Sequence, residues 1–419
     1  MTPEIKRIGQ ALKISWERYG ASLIFDRMVE KSDGVHAEIQ PVINGCNSAI
    51  PSRLTPSKVN LHSTRARGDL TRRFTEIFKQ LKHSIPADHF VDQSIHWAIH
   101  TFRQGEPATL LDEVTCISKP FILRPIVLEG LPSIVFALAA KGKSLFGLFA
   151  CLLAETGQSL GGLTASRAHQ TAFLDWELDS SVQGYRKRQI LEAHPNLRTA
   201  GPLYRRMYRP LADDLPNVAK IIEEHGIGFV VIDSLAPAAG GDQIGAEGAI
   251  RFFEALRVLG IGCLILAHAP KPNENTKSKS IYGSIFFHNL ARSVWEVETM
   301  QEPDSDEIRM GFFHRKNNLG RLHAPVGLKL VFPPEDQDGG GLQFSSYDLS
   351  YDPELSKALP LRKQIATALE CGRMTVGKLA EVLDVEKAKI RARLNDGRGK
   401  YFIQFPGKNG DPEWGILHR

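Results

Sequence analysis

A mostly parallel α/β sheet flanked by helices is the fold class this sequence predicts, and three apolar runs predict it. Ile134 to Leu138 is followed by Gly142-Lys143-Ser144, Ala172-Phe173-Leu174 runs into Asp175-Trp176-Glu177, and Phe229-Val230-Val231-Ile232 ends in Asp233. Each reads as a strand buried on both faces, because a strand inside a parallel sheet is a continuous apolar run rather than an alternation. Each also ends in a group suited to phosphate or to a metal ion. Lys143 precedes Glu177 by 34 residues, and Glu177 precedes Asp233 by 56.

The 419 residues suffice for two or three domains, and 42% hydrophobic content suffices for their cores. The net charge of +5 excludes a global basic field. Residues 361–419 carry 12 Lys+Arg against 7 Asp+Glu, an excess equal to that of the whole chain, so the remainder is neutral. The five cysteines, at 46, 116, 151, 263 and 371, form no close pair, which argues against zinc and disulfides and for small buried side chains in a reducing compartment. The most apolar stretch, 134–154, is broken by Lys141-Gly142-Lys143-Ser144 and cannot span a bilayer, and the N-terminus lacks an apolar signal core. The expectation is a soluble cytoplasmic protein with no membrane partner.

Taken in order, residues 1–118 read as a mixed α/β domain without a motif. Spacing predicts helices over 8–24 and 70–81, with loops or short strands in the Pro/Ser/Asn-rich stretch 41–61. A boundary is expected near Ser118-Lys119-Pro120. Residues 119–350 form the core. Strands are expected at 135–138, 173–175, 229–233 and 263–267, alternating with helices near 144–155, 180–193, 212–225 and 246–259. The close-spaced apolar segments 294–297, 308–313, 328–332 and 343–347 predict an antiparallel extension, and 334–341 a surface loop. Residues 351–360 read as a linker. In 361–419, helical spacing at 361–371, 376–383 and 386–395 precedes two strands around the turn Gly407-Lys408-Asn409-Gly410. Three short helices and a hairpin make a winged helix-turn-helix.

The phosphate-binding loop reads Ala137-Leu138-Ala139-Ala140-Lys141-Gly142-Lys143-Ser144, with Leu145 opening the next helix. Such a loop presents backbone N–H groups, a lysine for the terminal phosphates and a hydroxyl for magnesium. Lys143 and Ser144 fill those roles, whereas alanines stand at 137, 139 and 140 where glycines are usual. An alanine forced into left-handed backbone costs about 1 kcal/mol. Asp233 is placed to support Mg²⁺ beside Ser144. Glu177, with Asp175 as its rival, is placed to polarise the attacking water. His268 ends the run Cys263 to Ala267 and is placed to sense the γ-phosphate; the polar loop after it carries Lys271, Lys277 and Lys279.

Four stretches together resemble the RecA-like ATPases, and most closely the RepA-type branch of hexameric helicases. They are Phe173-Leu-Asp-Trp-Glu177, Val231-Ile-Asp-Ser-Leu235, Leu266-Ala-His-Ala-Pro-Lys271 with Gly283 to Arg292 behind it, and His314-Arg-Lys-Asn-Asn-Leu-Gly320. The resemblance covers about half the chain. It implies ATP and Mg²⁺ bound through Ala137, Ala140, Lys141, Gly142, Lys143, Ser144 and Leu145, with Asp233 at the metal and Glu177 and His268 in catalysis. Lys316, or Arg315 as its rival, would act on the neighbouring subunit's nucleotide, which implies a homo-oligomer, a hexameric ring or a filament. It also implies that 235–247 and 269–284 line a central channel.

The leading expectation is therefore an ATP hydrolase coupled to DNA, a helicase or loader in replication or repair. Single-stranded DNA would run along the channel lysines. Duplex DNA would meet Lys387, Lys389, Arg391 and Arg393 of the third C-terminal helix. The alternative is a DNA-binding regulator in which nucleotide is a switch or is absent. A signalling ATPase without nucleic acid fits less well with three lysines in one loop.

Overall fold

The computed structural model describes residues 2–8, 11–43, 58–80, 85–105, 121–241, 245–270, 281, 285–334, 341–407 and 411–417. The chain divides into two compact units, Met1–Ser118 with Leu211–Gly226, and Lys119–Pro210 with Ile227–Arg419.

The first unit begins with a five-stranded antiparallel meander, β1 (Glu4–Ile8), β2 (Ala11–Trp16), β3 (Ala21–Lys31), β4 (Gly34–Ile43) and β5 (Lys58–Asn60). The helices α1 (Thr64–Gln80) and α2 (Ala87–Gln104) follow. The helix expected over 8–24 is replaced by these strands. Leu12, Ile14 and Trp16, then Leu23 and Phe25, are buried in a period of two, and Gly20 turns the chain between them in left-handed backbone. Their apolar face packs on Phe74, Phe78, Phe90, Val91 and Ile95 of the two helices.

The second unit opens with the short strands β6 (Phe121–Arg124) and β7 (Val127–Leu128), then β8 (Pro132–Ala137) and α3 (Lys143–Thr156). β9 (Ser159–Leu160) and β10 (Leu163–Ala165) join β6 and β7 in a small side sheet. The main sheet continues through β11 (Gln170–Asp175), α4 (Ser180–Ala193) and β12 (Leu203–Arg206). The chain then enters α5 (Leu211–His225) of the first unit and returns as β13 (Ile227–Asp233), α6 (Leu235–Ala239), α7 (Ala246–Leu259) and β14 (Gly262–His268). α8 (Ile285–Leu290) leads into β15 (Ser293–Met300), β16 (Glu307–Asn317), β17 (Val326–Val331) and β18 (Gln343–Ser346).

Spatial order in this nine-stranded sheet is β12-β11-β13-β14-β8-β15-β16-β17-β18 among the described residues. The first six strands run parallel and the last three add antiparallel; of the four segments expected in the antiparallel extension, 294–297 instead lies in β15, which pairs parallel with β8. α3 lies close against the sheet because Gly147 has no side chain. A Cβ there would come within 3.0 Å of both Leu266 and Val231. Phe149 of α3 stacks on Phe344 with ring centres 4.0 Å apart, which ties the antiparallel end into the same core.

Residues 351–360, expected as a linker, are packed: Leu355 and Leu359 are buried with Phe313 and Leu349. Beyond them lie α9 (Leu361–Glu370), β19 (Met374–Thr375), α10 (Val376–Leu383), α11 (Lys387–Gly397), β20 (Phe402–Phe405) and β21 (Glu413–Ile416). The three helices enclose Ile365, Leu369, Leu379, Ile390 and Leu394 together with Phe402 and Trp414 of the small sheet β19-β21-β20. Cys151 and Cys263 are buried as expected, but Cys371 is exposed, just beyond the end of α9. Cys46, Cys116, the boundary at 118–120, and 335–340 and 408–410 of the expected loop and turn lie outside the described residues. No helix among the described residues is long and apolar enough to cross a membrane.

Candidate active site

The site forms along the carboxyl ends of four adjacent parallel strands, where open α/β sheets place their ligands. Register sets it: Asp175 of β11 lies beside Asp233 of β13, Asp233 beside Leu266 of β14, and His268 beside Ala137 of β8. The chain turns from β8 into α3 through residues 138–142. Gly142, the N-cap of α3, sits at φ 72°, and Ala140 sits at φ 55° with no glycine to ease it. The left-handed position anticipated in the alanine-rich loop is thus real, at Ala140.

Lys143 is buried. Its Nζ donates to the carbonyls of Leu138 at 2.7 Å and Ala137 at 3.2 Å, and lies 3.4 Å from Nδ1 of His268. Burial draws its pKa down to about 8, which leaves it cationic at neutral pH. On the far side of the imidazole, Nε2 of His268 lies 3.4 Å from Oε1 of Glu177. The same Oε1 accepts a 2.6 Å bond from the Ser234 hydroxyl. An ammonium at Nδ1 makes that nitrogen the acceptor, which leaves Nε2 as the donor facing Glu177. His268 and Ser234 hold Glu177 ionised, with a pKa down to about 2.

Asp233 is 2% exposed, and its Oδ2 has no hydrogen-bond partner among the described residues. Burial raises its pKa to about 7 against the opposing bond from Ser144. A buried carboxylate oxygen without a donor, next to a serine hydroxyl and a buried ammonium, suits a hard cation with its water shell. The residues present therefore fit magnesium and a nucleotide phosphate.

Asp175 takes a different place from Glu177. It is fully buried; its Oδ1 accepts from the backbone N–H groups of Glu177 and Leu178, both at 2.8 Å, and its Oδ2 accepts from Gln183. Arg206 closes the arrangement, with Nη1 3.7 Å from Asp175 and bonded to the Leu178 carbonyl. Asp175 thus fixes the turn that presents Glu177. Ser234 follows Asp233 directly in sequence, so its place was open to inference; nothing in the sequence marks Gln183 or Arg206.

Arg315 and Lys316 are not brought to this cluster. Lys316 pairs in register with Val294, which is level with Ile134, so it stands about three residues, ~10 Å, below the start of the loop. Its Nζ donates to the carbonyls of His288, Asn289 and Ala291 at 2.7–2.9 Å, closing the end of α8. Arg315 is paired with Glu296 at 2.6 Å and lies over Phe313. Lys271, Lys277 and Lys279 lie outside the described residues, as does most of 269–284. Lys387, Lys389, Arg391 and Arg393 are all exposed on α11; Lys389 and Arg393 pair within the helix with Glu386 and Asp396.

Residues 118–274 match the family model of an AAA domain. No curated protein matches the chain. Among solved structures it is similar to the KaiC-like protein PH0186 from the hyperthermophilic archaeon Pyrococcus horikoshii OT3, at 13% identity and a TM-score of 0.38, over 55% of this chain and 98% of that one.

Proposed function

We propose that this chain is an oligomeric ATPase, akin to the RepA-type hexameric helicases, that couples ATP hydrolysis to binding, remodelling or unwinding DNA. The observation that carries this reading is the ionised Glu177, held by Ser234 and His268 across from Lys143, Ser144 and Asp233. Bound MgATP supplies the electrophilic phosphorus and its leaving group. Lys143 exchanges the carbonyls of Ala137 and Leu138 for phosphate oxygens, and Gly142 and Ala140 aim backbone N–H groups at the same anion. Ser144 and Asp233 would hold the Mg²⁺, which would supply charge neutralisation at the phosphate. Glu177 orients water by accepting its hydrogen bond; a carboxylate this acidic positions better than it stores a proton. When Lys143 moves to phosphate, His268 loses its partner at Nδ1, which links γ-phosphate to Glu177 and to the loop that follows residue 268.

Assembly is part of this reading. Arg315 and Lys316 lie at the end of the sheet away from their own phosphate loop; to act on a neighbouring subunit's nucleotide, Arg315 would exchange Glu296, or Lys316 the carbonyls of α8, for phosphate oxygens. In the same reading, 235–247 and 269–284, with Lys271, Lys277 and Lys279, face single-stranded DNA in a channel. The C-terminal unit is a winged helix-turn-helix that offers Lys387, Lys389, Arg391 and Arg393 to a duplex.

Steady-state ATPase with and without single-stranded DNA tests this. Turnover stimulated by DNA, and reduced by about 10² or more in both Lys143→Ala and Glu177→Gln, is expected. Negligible wild-type turnover beside tight duplex binding would favour the second reading, a nucleotide-switched regulator. The strained Ala140 and the retracted Lys143 are the observations on that side.

A further inference from the structure

Away from the phosphate loop, a cleft of ≈840 Å³ opens between the end of β16, the segment 321–325 and the C-terminal helices. Arg315, which is paired with Glu296, and Arg321 stand on one wall, Arg362 and Lys363 on the other, and no acid lines it among the described residues. Arg321, Arg362 and Lys363 are exposed and make no ion pair among the described residues. Tyr401, 46% exposed, forms part of the floor, with the Arg362 guanidinium 4.3 Å from its ring centre. A second cleft of ≈340 Å³ shares Pro360, Arg362 and Tyr401 with the first and carries the basic track on to Arg393. Its one acid, Asp396, is already paired with Arg393.

We infer that this continuous groove, which runs from the end of β16 to Arg393 on α11, is a binding track for single-stranded nucleic acid. Cations on both walls suit a phosphodiester backbone, and the guanidinium of Arg362 layered on the ring of Tyr401 suits an unpaired base, which stacks on such planes regardless of sequence. The first cleft alone is nucleotide-sized. Its continuation past Tyr401 selects a polymer over a mononucleotide, and the stacking floor selects a single strand over a duplex, whose bases are not free to stack. The inference rests on DNA being a partner of this protein, and it assigns that partner a new contact surface.

The test uses the full chain with a fluorescent oligothymidylate and a fluorescent duplex, by anisotropy across a salt series. Arg321→Glu/Arg362→Glu should weaken single-strand binding at least tenfold and flatten the plot of log K against log salt by about 1.4. Tyr401→Leu should weaken it about fivefold or more with the salt slope unchanged. Duplex affinity and DNA-free ATPase should stay at wild-type values in all three. Arg321→Ala/Arg362→Ala, which introduces no repulsion, gives the same direction if the reversal variant misfolds. Wild-type affinity and slope in both double variants overturn the groove alone. Loss of self-association in those variants with single-strand binding intact makes the groove a contact between copies and equally overturns it. A wild-type chain that binds neither oligonucleotide removes the DNA reading as a whole, and the groove with it.

Discussion

Ala140 shows how one methyl group is carried in a working position. At φ 55° its Cβ crowds the neighbouring carbonyl, a strain that glycine avoids. Ala140→Gly should stabilise the nucleotide-free chain by about 0.5–1 kcal/mol, the relief of strain exceeding the added freedom of the unfolded chain. A thermal melt decides it; a lower Tm would mean that this backbone is not left-handed in solution. His314 offers a second residue-level test. It stacks on the buried Trp295 with ring centres 4.1 Å apart and accepts the backbone N–H of His323 at Nδ1. Its remaining proton is therefore on Nε2, donated to Ser293, whose oxygen also accepts from Trp295. Burial draws its pKa down to about 4. The unfolded ring titrates near 6.5, so between these values the unfolded chain binds more protons and stability is lost as pH falls. The full window corresponds to about 3 kcal/mol. His314→Phe keeps the stack, costs about 1–2 kcal/mol at pH 7 through the orphaned polar groups, and should flatten the stability curve between pH 4 and pH 7.

At the scale of elements, Lys316 decides the fate of α8. A short helix of residues 285–290 ends in carbonyls that one ammonium gathers. Lys316→Met should cost about 2–3 kcal/mol and speed amide hydrogen exchange across 285–292, with the rest of the sheet unaffected. Unchanged exchange there would show that the helix holds itself. The parallel strands were legible in the sequence because burial on both faces leaves an uninterrupted apolar run, and their terminal acids marked the site edge. The meander of residues 4–43 was not. Its apolar residues at 12, 14, 16, 23 and 25 alternate, yet Ile8 and Ile24 also fit a helical stripe, and pairing with the next strands along the chain decided between them. Within the site, Lys143, Glu177 and Asp233 could be named from sequence. The contact of His268 with Lys143 spans 125 residues and comes from strand order alone. The support of Glu177 by Asp175 required knowing which of two alternating acids points inward.

For the whole molecule, the proposed action of Lys316 or Arg315 on a neighbouring subunit's nucleotide makes the catalytic unit larger than one chain. ATPase per chain should rise with protein concentration before it reaches a plateau. Adding Glu177→Gln chains to wild type should depress it more than in proportion, as mixed rings or filaments form. Strict proportionality to protein concentration and to the wild-type fraction would sink that prediction. The route of the chain between β12 and β13 has another kind of consequence. The first unit is not finished at residue 118, because Leu211–Gly226 belongs to it and Lys6 of its first strand reaches Glu223. During synthesis, then, the meander waits for its unit's last helix until β8, α3 and β11 have also left the ribosome. These elements of the second unit are therefore available to pair while the first unit is still incomplete.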